Sequence, residues 1–160
     1  MAGLVVLLAA IAAACSTDKT AAFPDGESRY EEFAPDGIPF RVAGSAWTID
    51  LRGNHRAVVA VQDASAEAVL ARLPWRRPDL EPDAKKILVT DSADNEIADV
   101  IATEVTSEEG GVIFRPSAGK GTYYIYYLPF KWQHGFSNVP DYLPAEYSAD
   151  PAWAGTAVSA

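Results

Sequence analysis

Cysteine is nearly missing from this sequence: Cys15 is the one thiol among 160 residues. A single cysteine excludes an internal disulfide and any cluster of thiolate metal ligands. Histidine is almost as scarce. With only His55 and His134, a zinc site would have to be completed by carboxylates, so no metal and no cofactor is expected. Cations are few: 13 Lys and Arg stand against 22 Asp and Glu, for a formal net charge of −9. Phosphate binding needs clustered Lys and Arg. The one tight basic pair is Arg76-Arg77, and nucleic acid is therefore not an expected partner. No GxSxG nucleophile elbow, phosphate loop or dinucleotide fingerprint occurs.

Long apolar runs are also lacking. The stretch Leu4 to Ala14 is unbroken but shorter than the about 20 residues a membrane-spanning helix requires. Its length suits the apolar region of a secretory signal. Ala12, Ala13 and Ala14 lead directly into Cys15, followed by Ser16, Thr17 and Asp18. That order resembles a bacterial lipoprotein signal, in which the cysteine becomes the lipidated first residue. No Lys or Arg precedes the run, and Ala12 stands where leucine is usual. The expected location is the bacterial cell envelope, reached through a lipid on Cys15, with plain secretion as the alternative. Contact with a membrane is expected only through that lipid. Residues 16–33 then read as a linker and arm, small and polar at first and charged at Glu27 to Phe33.

What the chain does have is β-branched and aromatic residues between turns. The stretch GTYYIYYLPF, Gly121 to Phe130, is the most strand-like. Alternation puts Tyr123, Ile125 and Tyr127 on one face and Tyr124, Tyr126 and Leu128 on the other. Neither face is polar, which predicts a strand in the middle of a sheet, with the tyrosine hydroxyls reaching partners at its rim. Earlier strands are predicted over Ile38 to Val42, over His55 to Val61 with Ala57, Val59 and Val61 inward, and over Ala68 to Trp75 with Val69, Ala71, Leu73 and Trp75 inward. Ile87 to Thr90, Ile97 to Val105 (alternating set Ile97, Ile101, Val105) and Val112 to Arg115 (Val112 and Phe114 inward) follow. Glu108-Glu109-Gly110-Gly111 reads as a tight connection. The fold class predicted is all-β, an antiparallel sandwich of seven or eight strands over residues 34–130. Residues 131–160 read as a loop-rich connection toward a further domain, ending in a helix start with Asp150 as cap and Pro151 in the first turn.

Several stretches together resemble one family. GNHRAVV (Gly53 to Val59), LPWRRPD (Leu73 to Asp79), GTYYIYYLPF, SNVPDYLP (Ser137 to Pro144) and ADPAW (Ala149 to Trp153) lie in the order and spacing of the N-terminal domain of glycoside hydrolase family 123-like proteins. The resemblance implies a β-sandwich placed before a (β/α) barrel. It implies that the barrel carries β-N-acetylgalactosaminidase-type chemistry, with an Asp-Glu pair that orients the substrate acetamido group and protonates the leaving oxygen. That pair belongs to the barrel, so no catalytic residue is assigned here.

The adjacent acids in this chain, Glu31-Glu32 and Glu108-Glu109, read as solvated pairs rather than the two placed carboxyls of glycoside hydrolysis. Sugar sites combine exposed aromatic faces with polar neighbours. Two groups qualify: Trp75 with Arg76 and Arg77, and Trp132 with Gln133 and His134. Trp75 also reads as core, Trp132 also as a surface for docking a barrel, and the two arginines also as partners of Asp79, Glu81 or Asp83. The expected function is a non-catalytic sandwich domain supporting a glycan-acting barrel of the same polypeptide. The alternatives are an independent carbohydrate-binding module and a structural envelope domain. In a bacterial host the chain is expected to incorporate labelled fatty acid and fractionate with membranes. Cys15→Ser should abolish both, and labelling that survives the substitution would overturn the lipoprotein reading.

Overall fold

The computed structural model describes residues 31–33, 37–41, 43, 47–133 and 139–159. The apolar signal run, Cys15 and most of the linker lie outside the described residues, as do His134 and Phe136. Two compact units partition the chain, with a boundary between Trp47 and Thr48. The first contains a hairpin, β1 (Glu31–Phe33) and β2 (Pro39–Arg41), paired antiparallel with Glu32 opposite Phe40.

The second unit is built on two three-stranded antiparallel sheets. One has the order β3 (Ala57–Val61), β8 (Gly121–Tyr126), β5 (Leu88–Asp91). The other has the order β4 (Val69–Pro74), β7 (Glu109–Phe114), β6 (Val100–Thr103). The tyrosine-rich strand β8 is central, as its two apolar faces predict. Its register places Val59 opposite Tyr123 on one side and Val89 opposite Ile125 on the other. Val59, Val61, Val89, Tyr123 and Ile125 form one core with Val69, Ala71, Leu73, Val112 and Phe114 of the facing sheet. Two sheets sharing their inner faces make a sandwich. At the rim, the Tyr123 hydroxyl donates to the Gly119 carbonyl (2.9 Å) and accepts from the Ala118 N–H (3.1 Å). The opposite face of β8 is buried too, with the Arg56 guanidinium 4.0 Å from the Tyr124 ring centroid and that of Arg52 5.7 Å from Tyr126.

The sandwich class holds, and the second unit carries eight strands among its described residues, within the seven or eight expected. Six make the facing sheets, and the other two form a hairpin. That hairpin falls almost wholly in Lys131 to Tyr147, a stretch that reads as loop. Here β9 (Phe130–Gln133) pairs with β10 (Val139–Tyr142), Trp132 opposite Pro140 and Phe130 opposite Tyr142. Proline tolerates an edge strand, which is why Pro140 misleads a reading by composition.

The Gly110-Gly111 connection is a second correction. Glu109, Gly110 and Gly111 lie inside β7, and the chain turns earlier, around Thr106, whose hydroxyl accepts from the Glu108 and Glu109 amides at 3.2 and 3.1 Å. The glycines serve packing. A Cβ on Gly110 would sit 2.1 Å from the Trp75 ring, and one on Gly111 would sit 2.3 Å from the Thr103 hydroxyl. A third difference concerns Ile101. It does not share a face with Ile97 and Val105, because β6 begins only at Val100. Val100 and Ala102 face the main core, and Ile101 faces outward into a second cluster.

That cluster is completed by α1 (Pro151–Ser159). Asp150 caps the helix as its sequence predicts, its Oδ1 accepting from the Trp153 N–H at 2.8 Å. Trp153 packs among Ala68, Ile113 and Ala157, and its indole N–H donates to the Glu67 carbonyl at 2.9 Å. Asp99 Oδ1 accepts from the Asp150 amide at 2.7 Å. The helix is therefore fixed to the outer face of the β4-β7-β6 sheet. Among the described residues, no helix is long and apolar enough to cross a membrane.

Two glycine substitutions should move stability in opposite directions. Gly110→Ala forces a methyl into the buried Trp75 ring and should cost about 2–3 kcal/mol. Gly155→Ala meets open space within the helix and should gain about 0.5–1 kcal/mol. Urea unfolding of both variants checks the pair; equal midpoints would refute the Trp75 contact.

Candidate functional site

The site grows from where β4 ends. Pro74 has no N–H to donate, yet the extended chain continues past it. The Trp75 amide bonds to the Glu108 carbonyl (2.8 Å) and the Arg77 amide to the Ser107 carbonyl (2.9 Å). Strand alternation therefore carries on through LPWRRP: Leu73, Trp75 and Arg77 point in, while Arg76 and Pro78 point out. Trp75 is 1% exposed. It stacks on Tyr127 with centroids 5.2 Å apart and donates its indole N–H to the Thr106 carbonyl at 2.9 Å. No face of it is open to a ligand.

Arg77 is equally enclosed. Its Nε and Nη2 donate to the two carboxylate oxygens of Asp79 at 3.0 and 2.8 Å, with side-chain exposures of 0% and 3%. Of the acids weighed for it, Asp79 is the partner. Such a buried fork holds its segment in one geometry, and removing either partner would strand a charge away from water. Trp75 and Arg77 are thus framework residues, and the pair acts by turning Arg76 outward.

Arg76 is brought to Trp132, which lies over 50 positions later in sequence. The two line a shallow depression of about 250 Å³. The hairpin contributes Trp132, Pro140 and Tyr142. Phe130 meets Trp132 almost at right angles (4.9 Å, 77°) and Tyr142 likewise (6.2 Å, 86°). The turn before β3 contributes Ile49, Asn54 and His55. That turn needs glycine at position 53, where φ is +76° and a Cβ would lie 2.2 Å from the Leu128 carbonyl oxygen. The Leu51 amide also bonds to the Phe130 carbonyl at 2.9 Å, tying the turn to the hairpin.

The site residues expected from sequence are therefore divided. Arg76 and Trp132 come together, Trp75 and Arg77 stay in the core, and His134 lies outside the described residues. Asn54, His55, Tyr142 and Ile49 join the site without having been assigned to it. The signal for Tyr142 was its alternation with Pro140 along a strand, and for Asn54 and His55 the turn at Gly53.

The acids of the body do structural work. Asp91 accepts from the Asn95 side chain, the Asn95 amide and the Ala93 amide, each at 2.9 Å. The Asn95 side chain is the main reason that the Asp91 carboxyl titrates below its ordinary range. Asp99 pairs with Arg115 at 3.1 Å. Glu108 and Glu109 are exposed. Among the described residues, no three His, Cys, Asp or Glu gather as a metal site.

Comparison with known proteins adds one decisive observation. The family model for the glycoside hydrolase 123 N-terminal domain matches residues 45–160. The chain belongs to this family. The match contains the whole two-sheet body, the β9-β10 hairpin and α1 of the glycoside hydrolase 123 N-terminal domain. No curated protein and no solved structure matches the chain.

His55 leans on Tyr127 with ring centroids 5.9 Å apart, and the loss of water around it lowers its pKa from the ordinary 6.5. The folded state thus resists the imidazolium. As pH falls below about 6.5 the unfolded chain takes up this proton first, and stability declines until folded His55 protonates as well. An NMR titration of the His55 ring should give a midpoint below 6.5. His55→Gln should reduce the loss of stability between neutral and mildly acid pH. A midpoint above the ordinary value would contradict the assignment.

Proposed function

We propose that this chain is the non-catalytic N-terminal domain of an exported glycoside hydrolase-like protein. It supports and orients a downstream (β/α) barrel of the same polypeptide, which acts on glycans of the N-acetylhexosaminide type. The observation that carries the reading is the family match across residues 45–160. Two features of the geometry support it. Asp79, Asp91 and Asp99 each hold a turn, a strand end or a cation, which suits a domain whose partner supplies the catalytic acids. The helix α1 is tied to the sandwich by the Trp153 indole and by the Asp150–Asp99 bond. A barrel joined beyond α1 inherits that fixed orientation.

The apolar run Leu4 to Ala14 and Cys15 support export. A lipid on Cys15 would tether the protein to the cell envelope and leave the linker to set its reach.

The test is to read the gene past codon 160 and assay the encoded protein. The reading frame should continue into a barrel with an adjacent Asp-Glu pair. The protein should release the aglycone from an aryl N-acetyl-β-galactosaminide, and exchange of either acid for its amide should cost at least about a hundredfold in kcat. A stop codon directly after Ala160 would overturn the proposal.

A further inference from the structure

We infer that the Trp132 depression is a glycan subsite that holds one pyranose ring. This deepens the reading of the chain as part of a glycan-acting protein and rests on it. Three observations point to a sugar.

The first is the aromatic. Trp132 is 42% exposed, whereas Trp75 and Trp153 are 1% and 9% exposed. Phe130 stands almost perpendicular to it, and Phe130 is itself 5% exposed. An indole propped this way by a buried ring, on a paired hairpin, stays in place without a ligand and loses little freedom on binding one. The carbon–hydrogen face of a pyranose is apolar, while its rim carries hydroxyls. An aromatic platform bordered by polar groups matches both surfaces.

The second is the border. Asn54, His55 and Arg76 line the same depression, and they supply amide, imidazole and guanidinium groups to hydroxyl or acetamido oxygens. No Asp or Glu lines it, on a chain with a net charge of −9. The described lining therefore offers mainly donors to the oxygens of a ligand.

The third is size. At about 250 Å³ the depression is smaller than the roughly 300–1,000 Å³ of sites that engulf a drug-sized molecule. It suits one ring of a longer chain, with the neighbouring rings in solvent.

The experiment follows indole N–H resonances of the full chain during titration with three trisaccharides: an N-acetylhexosamine, a neutral hexose and a uronic acid. Trp132 should shift saturably with at least one of them. The Trp75 and Trp153 resonances, held by the Thr106 and Glu67 carbonyls, should stay still. Trp132→Ala should weaken binding about tenfold or more in a chain that still unfolds cooperatively, and Trp132→Phe should restore part of it. Arg76→Ala should weaken binding several-fold. Which sugar binds identifies the ring. A Trp132 resonance indifferent to all three sugars would overturn the inference, as would full affinity in Trp132→Ala. So would shielding of Trp132 from solvent by a barrel in a longer protein, which would make the depression a docking surface. Each of these results leaves the barrel proposal standing, since that is decided by the downstream reading frame.

Discussion

The burial of one strand on both faces and both edges governs this structure. β8 pairs with β3 on one side and with β5 on the other. Its residues Tyr123 to Tyr126 are all buried. A strand so placed must satisfy its polar atoms within the protein, since an unmet buried hydrogen bond costs about as much as several good ones return. The Tyr123 hydroxyl meets this demand with the Ala118 amide and Gly119 carbonyl. On the other face the Arg56 and Arg52 guanidinium groups lie over the Tyr124 and Tyr126 rings, a favourable contact of a cation with an aromatic face. The facing sheet then has a fixed surface to pack on.

Trp75 links that core to the candidate site. It leaves the end of β4, lies across the glycine backbone of β7 at Gly110, and stacks on Tyr127 just past the end of β8. One side chain thus fastens the end of one sheet to the end of the other. Its neighbour on the inner face, Arg77, is locked by Asp79. With two alternate residues fixed inward, Arg76 between them has only the outward direction. The polar border of the depression is therefore a consequence of core packing, set by residues that cannot touch a ligand themselves. The same economy appears at α1, where Trp153 serves as both core residue and hydrogen-bond donor.

The charge of the chain is spent mainly at turns and edges. Asp91 folds the connection after β5 back on itself through three accepted hydrogen bonds. Lys86 with Glu96 and Arg72 with Glu104 are exposed or half-exposed pairs, of the kind that contribute little to stability. The depression at Trp132 stands apart from this acid-rich surface because its lining comes from a proline-bearing hairpin and a glycine turn.

Local pattern was enough for much of this. Alternation named the inward residues of β3, β4 and β7, the apolar faces of GTYYIYY placed that strand at the centre of a sheet, and Asp150-Pro151 announced the helix. Each signal is short-range, since side-chain direction along a strand and capping at a helix start depend only on neighbours in the chain. Pairing across distance was not written in any window. Gly110 reads as a turn until Trp75 is seen lying on it, and Lys131 to Tyr147 reads as loop until Trp132 is set opposite Pro140. The sequence by itself determined the class of fold and which side chains face the core. The tertiary structure alone decided that Trp75 and Arg77 are enclosed while Arg76 shares a depression with Trp132, because that depends on which segments pack together, and packing is a property of the whole chain.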